Sequence, residues 1–179
     1  PAAGPYSASG TAWGQAFVPS GAPGERGYLD LLRDLEDRAC AAVPAALRLL
    51  TEGAPRTRAA AAWFLASLAG RPDAAARRVA VEQRLAGPAE PDETVRATLA
   101  FALGQHLAPG ESAPLLALES DDSPLVLLVA ALMLVRREGA RAPVQALDPL
   151  VAVLEAPGDL DRPYRRLPWQ SDEIGRAHV

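Results

Sequence analysis

Few residues of this chain are of the types that carry out catalysis or bind metals. The chain holds one cysteine, Cys40, and two histidines, of which His106 lies near the end of a strongly apolar stretch. His106 could serve as a general base, but no nucleophile or acidic partner lies at a recognisable spacing from it. We therefore expect a solvated or helix-capping histidine and, for Cys40, a small buried apolar residue. The sequence predicts no catalytic residue, no metal site and no cofactor.

Two groups of charged residues offer weaker chemistry. Glu119, Asp121 and Asp122 precede Ser123 and could line a cation or a basic partner, although negative charge is ordinary at the start of a helix. The densest basic group interleaves arginines with aromatic side chains, namely Arg162, Tyr164, Arg165, Arg166 and Trp169. Such an arrangement can grip single-stranded nucleic acid. The net charge of −4 and the pI near 5.2 argue against a surface built to neutralise phosphates, so a nucleic-acid partner is not expected.

The composition favours one helical domain from a bacterial cytoplasm. Hydrophobic residues make up 49% of the 179 residues and aromatic residues only 5%, which suits a long, thin core of alanine and leucine. All 18 basic residues are arginine, which beside the abundant alanine, glycine and proline indicates a high-GC source. No signal peptide is visible, and the longest apolar run, residues 125–135, is shorter than the about 20 residues that a bilayer requires. We expect a cytoplasmic protein without a membrane partner.

The stretch from Pro91 to Leu107 predicts a complete helix that could position such residues. Asp92 can accept a hydrogen bond from the free N–H groups of the first turn, and Glu93 adds favourable negative charge there. Apolar residues at helical spacing form one stripe, Val95, Leu99, Ala102 and Leu103. Gly104 permits either the close approach of a neighbouring element or an early end of the helix.

The same pattern recurs on two other stretches. If Thr57, Asp92 and Ser123 are all N-caps, the caps lie 35 residues (57 to 92) and 31 residues (92 to 123) apart. Such a period is typical of stacked helical hairpins. The inward positions of this frame hold Ala60, Val95 and Val126, then Phe64, Leu99 and Ala130, and then Leu68, Leu103 and Leu134.

A second set of helices alternates with these. Pro44, Pro114 and Pro149 each precede a leucine-rich turn and therefore mark a helix start or a kink. The outer helix before the central stretch lacks this proline and carries Arg77 and Arg78, which we expect on a solvated face. Hairpins are predicted over residues 39–70, 72–108 and 110–138, with a fourth outer helix over residues 142–155.

The chain is expected to divide into four segments. They are residues 1–26, irregular and rich in glycine, proline and serine; residues 27–156, the helical repeats; residues 157–173, a proline-rich connection to a missing helix; and residues 174–179, a tail. The repeats open with an amphipathic helix from about Tyr28. It is expected to turn Leu29 and Leu32 inward, with Leu35 as a further candidate, and to place Arg33 four residues before Asp37 on the outside. One coding sequence for the ending EIGRAHV matches a common DNA-sequencing adapter, so we expect a non-native tail on a truncated fragment.

The helical repeats of this chain resemble the HEAT-repeat family, and within it the short bacterial repeats similar to those of phycobilisome lyases. The resemblance rests on the pattern of Asp92, Val95, Arg96, Ala102, Leu103 and Gly104, and on the phrase AVPAALRLL at residues 42–50. It covers residues 39–169. In the predicted frame, Ala61 and Leu127 replace Arg96 in the first and third copies. The resemblance implies an all-α, right-handed solenoid of stacked antiparallel helical hairpins.

The resemblance also implies a function, a non-catalytic scaffold whose concave face binds a protein or peptide partner. We take Trp63, Arg96 and His106 as the candidate partner-binding residues, and Trp63 would be an anchor if it emerges on that face. Two alternatives stay open because similar repeats occur in bilin lyases and in DNA glycosylases. The chain could be an accessory subunit or a fragment of such an enzyme, or it could position a catalytic domain that lies beyond one of its ends.

Overall fold

The computed structural model describes residues 25–86, 90–108, 110–155 and 165–168, and these residues form helices and turns without a β-strand. The α-helices among them are α1 (Glu25–Ala41), α2 (Val43–Glu52), α3 (Pro55–Ser67), α4 (Ala74–Ala86), α5 (Glu93–His106), α6 (Ala113–Leu116), α7 (Pro124–Glu138) and α8 (Asp148–Glu155). The predicted all-α class is confirmed for the described residues. The tail at 174–179 lies outside them, as do residues 1–24 and most of the predicted connection.

The chain divides into two compact units after Ala42, and α1 is the described part of the first unit. This helix begins three residues earlier than the pattern predicts. Arg33 pairs with Asp30 at 3.5 Å rather than with Asp37. Of the leucines expected to face inward, Leu32 is half-buried, whereas Leu35, the further candidate, is 52% exposed. The periodicity of the apolar residues therefore predicted the helix correctly, and it predicted the partial burial of Leu32 but not the exposure of Leu35.

Three helices of the second unit, α3, α5 and α7, lie side by side and are called the inner helices below. α5 packs against α3 and against α7. Near their first turns, Arg58 of α3 reaches Glu90 just before α5. Near their last turns, His106 of α5 reaches the carbonyl group of Leu65 in α3. Because like ends meet, the inner helices run parallel, and the core between them includes Leu65, Leu99, Leu103, Val126 and Leu134.

The remaining helices of this unit are the outer helices α2, α4, α6 and α8. α2 packs on α3, α4 on α5 and α6 on α7, so each of these pairs is a helical hairpin, and α8 packs on α7. Pro44, Pro114 and Pro149 are the second residues of α2, α6 and α8, which confirms that they mark helix starts. The fourth outer helix is shorter than predicted, because residues 139–141 and 144–147 form 3-10 turns before α8.

The starts of the inner helices correct the predicted repeat frame. Asp92 and Ser123 are the N-caps of α5 and α7, as expected. The N-cap of α3 is Ala54, and Thr57 lies inside the first turn. The proline that follows Ala54 has its φ angle already fixed near the helical value, which favours the earlier start. Ala60, predicted to face inward, is consequently exposed.

Counting from the observed caps changes which residues are equivalent. Arg58 is the fourth residue after Ala54, and Arg96 is the fourth residue after its own cap. The first copy therefore keeps the arginine, and the prediction that Ala61 replaces it is wrong. Leu127 does stand at this position in α7, as predicted.

Gly104 allows α5 and α7 to approach closely. A Cβ atom at this position would lie 2.8 Å from the Cβ atom of Met133 and 2.6 Å from its terminal methyl carbon. These distances are shorter than real side chains allow, and α5 continues to His106. Of the two expectations for Gly104, close approach is therefore the one that the structure shows.

Candidate partner-binding surface

A repeated pairing of arginine with carboxylate joins the first turns of the inner helices. We call the pairs Arg58–Glu90 and Arg96–Asp121 the arginine ladder. Glu90 and Asp121 each lie two residues before an N-cap. Each carboxylate also accepts a hydrogen bond from the backbone N–H group of that cap, at 3.2 Å from Asp92 and at 2.8 Å from Ser123. The ladder thus ties each inner helix to the segment that opens the next.

The first rung of the ladder is buried. Arg58 donates to both oxygens of Glu90, from Nε at 2.9 Å and from a terminal nitrogen at 2.5 Å, and Arg84 donates to the same carboxylate. The Glu90 side chain has no solvent exposure. Burial alone would raise the pKa of Glu90. The hydrogen bonds from Arg58 and from the Asp92 N–H group, with the charges of the two arginines, outweigh it and hold the pKa below its ordinary value.

The second rung occupies Arg96, one of the three predicted partner-binding residues. Its guanidinium donates to both oxygens of Asp121 at 3.0 Å and to Asp122 at 2.8 Å. It also donates to the carbonyl oxygens of Glu90 and Pro91, at 3.0 and 3.3 Å. All five N–H groups that an arginine possesses are thereby directed within the chain. The sequence suggests Glu119, Asp121 and Asp122 as a site for a cation or a basic partner. Two of these three residues, Asp121 and Asp122, bind Arg96 instead.

A third rung is missing because Leu127 stands where the ladder arginine would be. The cap of α7 also differs from that of α5. Asp92 accepts a hydrogen bond from the Val95 N–H group at 3.1 Å, whereas the Ser123 hydroxyl donates to Glu93 at 2.8 Å. Ser123 holds the N-cap position, but its side chain links α7 to α5 and accepts no hydrogen bond from the first turn of its own helix.

Arginines also cover the carbonyl ends of two inner helices. Arg77 of α4, expected on a solvated face, is only 2% exposed, which corrects that prediction. It donates to the carbonyl oxygens of Leu68 and Pro72, at 2.8 and 2.7 Å. Arg137 of α7 likewise donates to the carbonyl oxygen of Gly104, at 2.8 Å, at the end of α5. These cations favour the negative ends of the helix dipoles and satisfy carbonyl groups that the helices leave unpaired.

His106, the second predicted partner-binding residue, joins the last turns of α3 and α5. Its Nε2 atom donates to the Leu65 carbonyl oxygen at 3.0 Å, and its Nδ1 atom is buried without a hydrogen-bond partner. Burial lowers the pKa of His106, and the nearby charges of Arg77 and Arg78 lower it further against the effect of the hydrogen bond to Leu65. These effects favour the neutral form of the ring. It meets the carbonyl end of a helix, as expected, but that of α3 rather than its own.

Trp63, the third predicted residue, is the most exposed of the three. It is 38% exposed and is the ninth residue after the N-cap of α3. Phe101 and Leu132 hold the same ninth position in α5 and α7, where Phe101 is half-buried and Leu132 is 42% exposed. Since the inner helices are parallel neighbours, these side chains form one apolar row. Sequence reasoning missed the row because the frame began three residues late in α3; the proline after Ala54 is the signal that could have corrected it.

Arg56 and Arg136 flank the apolar row. Arg56 lies seven residues before Trp63 and Arg136 four residues after Leu132, so each shares a helical stripe with its apolar neighbour. Both arginines are exposed. The face thus combines an apolar centre with a charged rim.

The other candidates for chemistry are dispersed. Cys40 is half-buried in α1 rather than buried. Of the predicted basic and aromatic group, only Arg165 and Arg166 are described, and both are exposed. Within the described ranges, no three histidine, cysteine or acidic residues are grouped so that they could hold a metal ion. No helix of these ranges is long and apolar enough to cross a membrane.

Comparisons of the chain with protein-family models, with curated proteins and with solved structures found no match in any of the three. The resemblance to HEAT repeats therefore rests on the residues quoted above. What the described geometry defines is an all-helical chain in which parallel inner helices carry a row of apolar side chains.

Proposed function

We propose that this chain is a HEAT-like, right-handed helical solenoid that serves as a non-catalytic scaffold for a protein or peptide partner. The parallel inner helices, each paired with an outer helix, support the repeat architecture. The arginine ladder supports it further, because the same contacts recur from one hairpin to the next. An array of this kind presents one broad face built from equivalent positions.

The apolar row of Trp63, Phe101 and Leu132 is the observation that carries the binding function. Tryptophan is enriched among the residues that dominate the energy of interfaces, and a polar rim around such an anchor is typical. Arg56 and Arg136 supply that rim here. Arg96 donates to the segments that precede α5 and α7, and His106 donates to the last turn of α3. We therefore assign these two residues the role of holding the inner helices in position, and Trp63 the contact with the partner.

Selection of peptides from a displayed random library tests this function. Peptides that bind the wild-type chain are measured against Trp63→Ala and Leu132→Ala variants by calorimetry. We expect each substitution to weaken the selected peptides, Trp63→Ala by at least about tenfold. The control is Val79→Ala, since Val79 is 48% exposed on the outer helix α4 and should not matter.

Selected peptides that bind both variants as tightly as the wild type would overturn the assignment of the row. The alternatives drawn from the resemblance stay predictions with tests of their own. A change in bilin absorbance on mixing would support a lyase-like role, and salt-dependent DNA binding would support a glycosylase-like role.

A further inference from the structure

A cleft of about 270 Å³ lies between α7 and α8. Its apolar lining comes from four residues of α7, which are Leu127, Ala130, Ala131 and Leu134. Glu119 and Asp148 also line it, and no basic residue does among those described. The volume is below the about 300–1,000 Å³ of sites for drug-sized ligands, so the cleft suits one inserted side chain.

No described residue neutralises the negative charges of the two acidic residues that line this cleft. Glu119 and Asp148 are exposed, and neither forms a hydrogen bond or an ion pair with another described residue. In the two earlier inner helices the position of Leu127 belongs to an arginine that meets carboxylates. Here Leu127 takes that position, and two acidic residues, Glu119 and Asp148, line the same cleft. The cleft therefore combines an apolar lining with two acidic residues and holds no described cation of its own.

We propose that this cleft binds an arginine side chain of a basic peptide or protein partner. The aliphatic stem of the guest packs on Leu127, which is partly exposed, as long basic side chains do on apolar surfaces. Its guanidinium lies between Glu119 and Asp148, because a planar fork of donors can satisfy two carboxylates at once where a lysine offers a single point charge. This site is separate from the apolar row, so it does not rest on the proposed function.

Butylguanidinium, an arginine side chain without its backbone, is the probe that tests the proposal. Methyl-group NMR of the full chain follows the resonances of Leu127, Leu134 and Ala130 during titration. We expect saturable shifts at these methyl groups with butylguanidinium, and binding at least about tenfold weaker with butylurea, its neutral isostere. Added salt should weaken the guanidinium binding several-fold.

Two sets of variants make the test specific. Glu119→Gln combined with Asp148→Asn changes only exposed side chains and should abolish the binding without altering the fold. Leu127→Arg supplies the missing cation from within the chain and should exclude the probe, whereas Leu127→Met should still bind it. Equal titration of wild type and the Gln/Asn double variant, or equal binding of butylurea, overturns the proposal.

Two other occupants of the cleft can be distinguished from an arginine of a partner by experiment. If the chain self-associates in sedimentation and the Gln/Asn double variant does not, an arginine of a second copy fills the cleft and the partner assignment is wrong. If Arg162→Ala strengthens binding of the probe, the chain's own arginine competes for the cleft, which also overturns that assignment. The proposal stands if the probe binds the wild type and neither effect is seen.

Discussion

The Nε2 atom of His106 lies 3.0 Å from the carbonyl oxygen of Leu65, so the last turn of α5 is hydrogen-bonded to the last turn of α3. The other ring nitrogen is buried without a partner. A proton on that nitrogen would place a charge in a site that offers it no acceptor. The contact between two inner helices is thereby coupled to the protonation of one side chain.

The first prediction concerns the pH dependence of stability. Because burial lowers the pKa of His106, the unfolded chain binds a proton more readily than the folded chain below about pH 6.5. The free energy of unfolding should therefore fall as the pH drops from about 7 towards 5. Urea unfolding across this range measures it. His106→Gln keeps a donor for Leu65 and should flatten the slope; an unchanged slope in this variant would contradict the prediction.

The second prediction concerns the buried carboxylate of the ladder. Glu90→Gln leaves Arg58 and Arg84 beside a neutral amide and should cost about 3 kcal/mol of unfolding free energy. Glu82→Gln is the control, because Glu82 pairs with Arg78 on the surface of a single helix and should cost less than about 1 kcal/mol. Chemical unfolding of both variants measures the two losses of unfolding free energy. Equal losses would mean that the buried rung contributes no more than a surface pair.

The same carboxylate should contribute to acid unfolding. The pKa of Glu90 is lowered in the folded chain, so its stabilisation is complete above the ordinary glutamate pKa of about 4.3 and is lost as the pH falls through the lower, folded value. Acid titration followed by circular dichroism should show a shallower dependence in Glu90→Gln than in the wild type. If the normalised acid-unfolding curves of the two proteins coincide, protonation of Glu90 does not contribute to this transition.

The third prediction separates two adjacent arginines. Arg77→Ala removes a buried donor from the carbonyl groups of Leu68 and Pro72 and should cost about 2–3 kcal/mol. Arg78→Ala removes partly exposed pairs with Glu82 and Glu111 and should cost less than about 1 kcal/mol. Thermal and urea unfolding of the two variants measure the difference. A larger loss in Arg78→Ala would refute the capping role of Arg77.

The fourth prediction concerns the closest approach of two inner helices. Gly104→Ala places a methyl group against Met133 and should destabilise the chain by about 1–3 kcal/mol, although alanine is the better helix former. Gln105→Ala, at the next and less buried position of α5, should change stability by less than about 0.5 kcal/mol. A stabilised Gly104→Ala protein would mean that α5 and α7 separate at no cost.

Local signals in the sequence predicted much of this fold. The cap at Asp92 and the starts at Pro44, Pro114 and Pro149 depend on residues within one turn, so spacing alone identified them. Thr57 misled the frame because threonine is a good cap, yet the proline that precedes it by two residues fixes an earlier start.

Contacts between distant residues could not be predicted in this way. Arg58 and Glu90 are separated by 32 positions, and nothing in their spacing distinguishes them from other charged residues. Arg77 and Arg78 are adjacent residues of the same type, so the sequence does not distinguish them. Their burial differs because the chain folds back over Arg77. Trp63 was singled out by its type, but Leu132 became part of the same surface only when α3 and α7 were placed on either side of α5.

The absence of an arginine at Leu127 makes the coupling between neighbouring hairpins unequal along the chain. α3 and α5, and likewise α5 and α7, share charged hydrogen bonds as well as apolar contacts. Among the described residues, no ion pair joins α7 to α8. In a one-dimensional array, cooperativity is set by such nearest-neighbour terms. At this end of the second unit, opening should therefore begin at α8 and spread towards α5, giving amide hydrogen exchange that is faster in α8 than in α7 and slowest in α5.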